Sequence, residues 1–407
     1  MTPLHLSFFT ATSCIGTGLD ATLAALRDQR GGLAPCHFGD VKLNTCVGEV
    51  PGLEALALPP ELAGFDCRNN RLALLALEQD GFASRVREAV ARYGAQRVGV
   101  FLGTSTAGVL QTEMAYRQRD PQTGALPAGF NYAGSHNPFS LPGFVRTHLG
   151  LQGPAAAISS ACSSGAKVFA SARRMLEAGL IDAAVVGGVD TLCLTTLYGF
   201  NSLELLSAQP CRPYDVNRNG ISIGEGAAFA LLERVPAQVA DDAILLLGIG
   251  ESSDAHHMSA PHPEGLGARL AMEQALASAG IEPSQVDYVN LHGTATRSND
   301  AAEAQAMAAL LPSTACSSTK GATGHTLGAA GAVEAVICAL ALRHGLLPAG
   351  INTTQRDPAL LVDYRLASSM QPLQYVLSNA FGFGGSNCSL LFGRGDSGDA
   401  SNAASRH

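Results

Sequence analysis

Four reactive side chains of three kinds stand in loops of small residues. Cys162 lies in A-I-S-S-A-C-S-S-G-A at 157–166. An apolar run enters a sharp turn there, and Ala166–Ala178 reads as a helix ending at Gly179. A cysteine beside a helix N-terminus has its thiolate stabilised by the dipole and free N–H groups, which lowers its pKa. Ser163, Ser164 and Gly165 leave room for a substrate to reach the sulfur, as in a strand-turn-helix nucleophile elbow. His292 follows the strand pattern Val286–Leu291 in N-L-H-G-T-A-T at 290–296. Lys320 and His325 share the Gly-rich stretch S-S-T-K-G-A-T-G-H-T-L-G-A-A-G at 317–331. That stretch is not a phosphate loop of the G-x-x-x-x-G-K-[ST] kind, because Lys320 precedes the glycines. N-A-F-G-F-G-G-S-N at 379–387 interleaves Phe381 and Phe383 with glycine, which suits a gate or backbone donors to an oxyanion. Singly, each feature has an ordinary structural explanation: a buried cysteine, core histidines, Gly-rich turns. As a set, one thiol, two imidazoles and an ammonium suit thioester chemistry, in which sulfur takes an acyl group and neutral imidazoles act on a carbonyl or carboxylate.

The elements that must position these residues alternate along the chain. Leu4–Phe9, Val98–Leu102, Ala183–Val186, Ala243–Leu247 and Val286–Leu291 read as buried strands. Arg71–Gln79, Arg85–Arg92, Ala166–Ala178, Gly267–Ser278, Ala302–Leu310 and Gly331–Arg343 read as helices, the second capped by Ser84. Strand-helix alternation indicates a layered α/β protein. The spacing divides it into residues 1–240, carrying the cysteine, and 241–394, carrying the histidines, with a disordered polar tail at 395–407.

Composition narrows the function classes. The chain has 407 residues, with 15% charged and 45 glycines, against about 25% charged in an average domain. So few charges suggest that part of the surface is covered by another subunit. A net charge of −8 argues against a general nucleic-acid binder. No run approaches the apolar length of a membrane span, and no basic cluster opens the chain as in a secretory signal. The 10 cysteines are scattered, with no C-x-x-C, and read as reduced thiols in a cytoplasmic protein.

In order along the chain, the Cys162 elbow, V-V-G-G-V-D at 185–190, C-R-P-Y-D-V-N-R-N-G-I-S-I-G-E-G-A at 211–227, H-G-T-A-T at 292–296, T-K-G-A-T-G-H-T-L-G-A-A-G at 319–331 and N-A-F-G-F-G-G-S-N at 379–387 resemble the elongating β-ketoacyl-[acyl-carrier-protein] synthases of types I and II. The resemblance runs from about Leu4 to Phe392. It implies the thiolase fold, two duplicated α/β halves in a five-layered αβαβα core. It implies a decarboxylating Claisen condensation in fatty-acid or polyketide chain elongation. Cys162 would hold the primer, and His292 and His325 would act on the malonyl unit. Lys320 would be charge-balanced by Glu303. The N–H groups of Cys162 and Phe383 would form the oxyanion hole, with Phe383 as a gate. Phe381, Thr294 and Thr296 would line the substrate site. His325→Ala is expected to keep acylation and lose decarboxylation.

No metal or organic cofactor is implied, since the phosphopantetheine arm belongs to the partner acyl carrier protein. Arg68 and Arg71 would dock that acidic partner, with Arg117 and Arg119 as weaker candidates. The assembly would be a homodimer or a heterodimer with a chain-length-factor homologue. The chain departs from the pattern in G-T-S-T-A-G at 103–108, where Thr106 takes a position facing the acyl pocket, and in a short Phe200–Arg212 segment. Both resemble synthases of polyene pathways, such as aryl polyenes. The family's His/Pro-rich loop accounts for the three histidines in D-A-H-H-M-S-A-P-H-P-E-G at 254–265 without a metal. Three other readings stand beside this one. A non-catalytic chain-length factor would lack the nucleophile, a thiolase would use a second cysteine such as Cys388, and a Cys/His hydrolase would need an orienting Asn or Asp.

Overall fold

The computed structural model describes residues 1–395, so the expected tail lies outside the described residues apart from Gly395. Five strands of the first half are β1 (Leu4–Ser13), β2 (Val98–Gly103), β3 (Ala155–Ile158), β4 (Ala183–Asp190) and β5 (Gly226–Arg234). Five of the second are β6 (Ile244–Ser253), β7 (Tyr288–Asn290), β8 (Ala315–Ser317), β9 (Tyr375–Gly382) and β10 (Ser386–Arg394). The first set is ordered β1-β5-β4-β2-β3 and the second β6-β10-β9-β7-β8, the same path twice. In both, the first two pairings are antiparallel and the last two parallel. Leu4–Leu6 pairs with Ile244–Leu246, which joins the two sets edge to edge. Asp363–Tyr364 adds a short strand beyond β8. The inner strands are apolar on both faces, as β2 and β4 show by being buried at every residue.

Helices cover both outer faces and fill the space between. α1 (Arg68–Leu77), α2 (Phe82–Tyr93) and α3 (Ser140–His148) lie over the first set of strands. α5 (Leu266–Ala279) and α6 (Arg297–Leu310) lie over the second. α4 (Ser164–Glu177) and α7 (Ala330–His344) form the central layer, packed with residues of both strand sets. This is the five-layered αβαβα core of the thiolase fold. In α7 every residue from Ala330 to Leu342 is buried. Leu327–His344 therefore has the length and hydropathy of a membrane-crossing helix, contrary to the sequence reading, but 89% of that segment is buried inside this fold.

Two glycines decide how closely α4 and α7 meet. A Cβ on Gly165 would come within 2.8 Å of the Gly328 carbonyl and the Ala332 nitrogen, and one on Gly331 within 2.6 Å of the Ala166 nitrogen. The helices cross backbone on backbone, which draws the start of α4 against the segment before α7. One expectation fails locally: α2 begins at Phe82 after Gly81 in the left-handed conformation, so Ser84 lies inside the helix rather than capping it.

Candidate active site

Cys162 sits between the end of β3 and the start of α4. Ala161 has a φ of +53°, a left-handed conformation that costs a side-chain-bearing residue about 1–3 kcal/mol. Ser164 pins this elbow, because its hydroxyl accepts the Ser160 N–H at 2.9 Å and donates to the Ala161 carbonyl at 2.5 Å. The sequence reading expected a lowered thiol pKa. The structure reverses the direction: burial pushes Cys162 up to about 11, with the Lys320 ammonium and the Phe383 N–H pulling partly back. Loss of hydration outweighs the helix terminus, so the resting side chain is a thiol. Its sulfur lies 3.1 Å from His325 Nε2.

Both histidines are buried and neutral. Burial, and then the Lys320 charge, hold them well below the ordinary histidine value. Their rings meet edge to face at 5.4 Å. Lys320 Nζ lies 3.4 Å from His292 Nδ1. An ammonium donating to Nδ1 leaves the ring proton on Nε2, which makes His292 a donor toward the cleft. Reactive atoms of Cys162, His292 and His325 all lie within 4.8 Å of one another.

The charge partner of Lys320 differs from the expected one. Its ammonium donates to Glu334, from α7, and not to Glu303. Glu303 instead accepts the N–H groups of His292 and Gly293, each at 2.8 Å, and the Asn379 amide at 3.1 Å. It therefore shapes the loop that presents His292. Burial raises Glu303 to about 7 against these donors. Glu334 did leave a signal in the sequence, as the lone charge in an otherwise apolar helix pattern, A-A-G-A-V-E-A-V-I-C-A-L. Such a charge requires a buried partner.

A narrow cleft reaches the sulfur, lined by Cys162, His292, His325, Thr294, Thr296 and Phe381 among others. Thr294 and Thr296 face each other at 2.9 Å, and Phe381 packs on His292 at 5.9 Å. Phe383 lines the mouth and rests on Phe200 at 5.8 Å, followed by Gly384 and Gly385 at φ of +79° and +73°. Phe200 was not singled out from sequence, although it opens the shortened segment. Cys388 is buried in β10 and does not line the cleft.

Two placements depart from expectation. Thr106 does not line this cleft; its hydroxyl donates to Asp190 at 2.7 Å. Arg68 is not available to a partner. It is 4% exposed, pairs with Glu225 at 2.6 Å and Glu49 at 3.3 Å, also binds Glu54, and lies over the Phe38 ring. Arg71 forms a two-pronged pair with Asp66, both contacts at 2.7 Å, and Arg117 pairs with Asp40 at 2.9 Å. Glu225 lies 157 residues from Arg68 and Asp40 lies 77 from Arg117, so the sequence around those two arginines does not reveal these partners, whereas Asp66 lies 5 residues before Arg71.

Comparison with known proteins gives a consistent result. Residues 71–237 match the family model described as beta-ketoacyl synthase, N-terminal domain, and 244–354 match its C-terminal domain. The 3-oxoacyl-[acyl-carrier-protein] synthase 2 of Vibrio cholerae is 33% identical, over 94% of this chain and 96% of that protein. The mitochondrial synthase of Arabidopsis thaliana is 39% identical over 63% of this chain and 61% of its own length. Among solved structures, the ketosynthase ApeO in complex with its chain length factor ApeC, from Xenorhabdus doucetiae, superposes with a TM-score of 0.87. It is 39% identical, over 97% of this chain and 98% of that one. A beta-ketoacyl synthase from Burkholderia phymatum gives 0.84 at 28% identity, over 97% of this chain and 100% of that one.

Proposed function

The chain belongs to the β-ketoacyl synthase family, and we propose that Cys162, His292, His325 and Lys320 carry its reaction. The protein is an acyltransferase of the 3-oxoacyl-[acyl-carrier-protein] synthase kind. The observation that supports these assignments is the 3.1 Å contact between a protonated thiol and a neutral imidazole, next to a second neutral imidazole backed by Lys320.

In the first half-reaction His325 Nε2 takes the Cys162 proton as sulfur attacks the primer thioester, and the carrier's thiol leaves with that proton. The N–H groups of Cys162 and Phe383 receive the charge on the carbonyl oxygen. In the second, the malonyl group loses CO₂ and its electron pair becomes an enolate held by a hydrogen bond from His292 Nε2–H. The enolate carbon attacks the acyl carbonyl, a carbon–carbon bond forms, and the Cys162 sulfur leaves as a thiolate that takes a proton from solvent through His325 Nε2. A neutral imidazole at His292 suits this step because it donates to developing charge without needing to ionise. Lys320 and Glu334 keep net charge near zero behind it, and Glu303 holds the His292 loop. Phe381, Thr294 and Thr296 line the path of the substrate arm, and Phe383 gates it.

The partner is an acyl carrier protein that brings the phosphopantetheine arm, and no metal or other cofactor enters the reaction. The two halves, 1–240 and 241–394, each supply part of the site. Ten free thiols suit a reducing compartment, and we place the enzyme in the cytoplasm. The 39% identity to a ketosynthase solved with its chain length factor supports a heterodimer with a chain-length-factor homologue, and the short Phe200–Arg212 segment, which resembles that of polyene-pathway synthases, supports polyene-type acyl chains as substrate.

Intact-mass spectrometry tests the nucleophile. Acyl-carrier protein should leave one acyl adduct on the protein, mapped to Cys162 and absent from Cys162→Ala; an adduct that persists in the variant rejects the assignment. A primer panel tests the substrate class. Unsaturated enoyl primers should be elongated, with the chain-length-factor homologue present, at least as fast as saturated ones. Elongation of saturated primers alone would remove the polyene reading.

A further inference from the structure

Asp190, the last residue of β4, is fully buried, and hydrogen bonds rather than a cation meet its charge. Oδ1 accepts the Thr104 hydroxyl at 2.8 Å, the Thr106 hydroxyl at 2.7 Å, and the N–H groups of Ser105 and Thr106, each at 2.8 Å. Oδ2 accepts the N–H groups of Ser105 and Ala329, both at 3.1 Å. The Thr106 hydroxyl in turn accepts the Thr191 N–H at 3.2 Å.

These bonds join two segments that the reaction needs in register. The turn after Gly103 rests on the first turn of α4: a Cβ on Gly103 would come within 2.6 Å of the Gly165 nitrogen, just past Cys162. Ala329 follows His325 by four residues, and a Cβ on the intervening Gly328 would lie 2.8 Å from Asp190 Oδ2 and 2.7 Å from Ser105 Oγ. One carboxylate therefore spans from the floor beneath the nucleophile to the segment that carries its imidazole.

We propose that Asp190 is a positioning residue which sets the Cys162–His325 distance, and that Thr106 is the hydroxyl that completes its site. Thr106 thus serves this clamp rather than the recognition of an acyl chain. The proposal rests on the reaction given above, so its test includes a readout that needs no substrate. Thr106→Val keeps the shape and removes the donor, and Thr106→Ser keeps the donor and removes the methyl.

Thr106→Val should lower kcat for condensation about tenfold, the scale set by sub-ångström misplacement of reacting groups, with KM for both carrier-linked substrates within about twofold. Thr106→Ser should stay within about twofold of the parent in kcat. The rate at which iodoacetamide alkylates Cys162 should fall in Thr106→Val and hold in Thr106→Ser, whether or not the parent condenses acyl chains. Asp190→Asn should exceed the Thr106→Val loss in both measurements; if it does not fold, the Thr106 pair decides alone. Parental kcat and alkylation in Thr106→Val, or an equal loss in Thr106→Ser, overturns the proposal. A parent that alkylates normally but never condenses overturns the reaction assignment instead.

Discussion

His292→Ala should still accept an acyl group on Cys162 at close to the parental rate, yet release CO₂ from malonyl-carrier protein about 10²–10³-fold more slowly, the usual cost of losing one donor to developing negative charge. The reason is geometric. The Cys162 sulfur is in hydrogen-bond contact with His325, whereas His292 is engaged from behind by Lys320. Resemblance alone assigned the separable role to His325, with acylation surviving its loss. The structure moves it. With burial holding the thiol at about 11, sulfur needs a base at hand, and His325 is the imidazole beside it. His325→Ala should accordingly slow both half-reactions. Acyl-adduct formation by mass spectrometry and CO₂ release from labelled malonyl groups measure the steps separately. Equal losses in both steps for His292→Ala would refute the division of labour.

Arg68→Ala should destabilise the fold by about 3–5 kcal/mol, the range for stripping one partner from a buried ion pair. Glu225 would remain fully buried, still accepting N–H groups of Val50 and Leu192 at 2.8 and 2.9 Å, with no cation against it. Urea titration reads the loss directly. Arg68→Met combined with Glu225→Leu should recover most of it, since removing both charges leaves neither unpaired. Arg71→Ala, which breaks a pair at the surface, should cost no more than about 1 kcal/mol. A marked rise in KM for carrier-linked substrate in a fully folded Arg68→Ala would restore the docking role that its burial removes.

The site was legible in sequence wherever local pattern carries the physics. A cysteine between an apolar run and an Ala-rich helix, a histidine at a strand end, and glycines around both describe short-range geometry. The structure places Cys162, His292, Lys320 and His325 together in the way those patterns anticipate. From sequence, Gly165 reads as room for a substrate at the sulfur and Gly331 as the start of a helix. They turn out to be the contact points of two crossing helices. Helix ends were less legible: α6 starts at Arg297, capped by Thr296, five residues before the apolar periodicity begins.

The inventory and its local setting follow from the order of residues alone: the nucleophile, the imidazoles, the ammonium, and the strands and helices whose ends carry them. Periodicity and turn residues encode these, because they depend on neighbours within a few positions. The pairings and the protonation come from packing between distant segments. Lys320 meets Glu334 rather than Glu303, Arg68 is taken by Glu225, Thr106 serves Asp190, and Cys162 rests as a thiol. Each depends on which distant segment covers the group and how much water it excludes, and burial is a property of the packed layers that no stretch of sequence carries on its own.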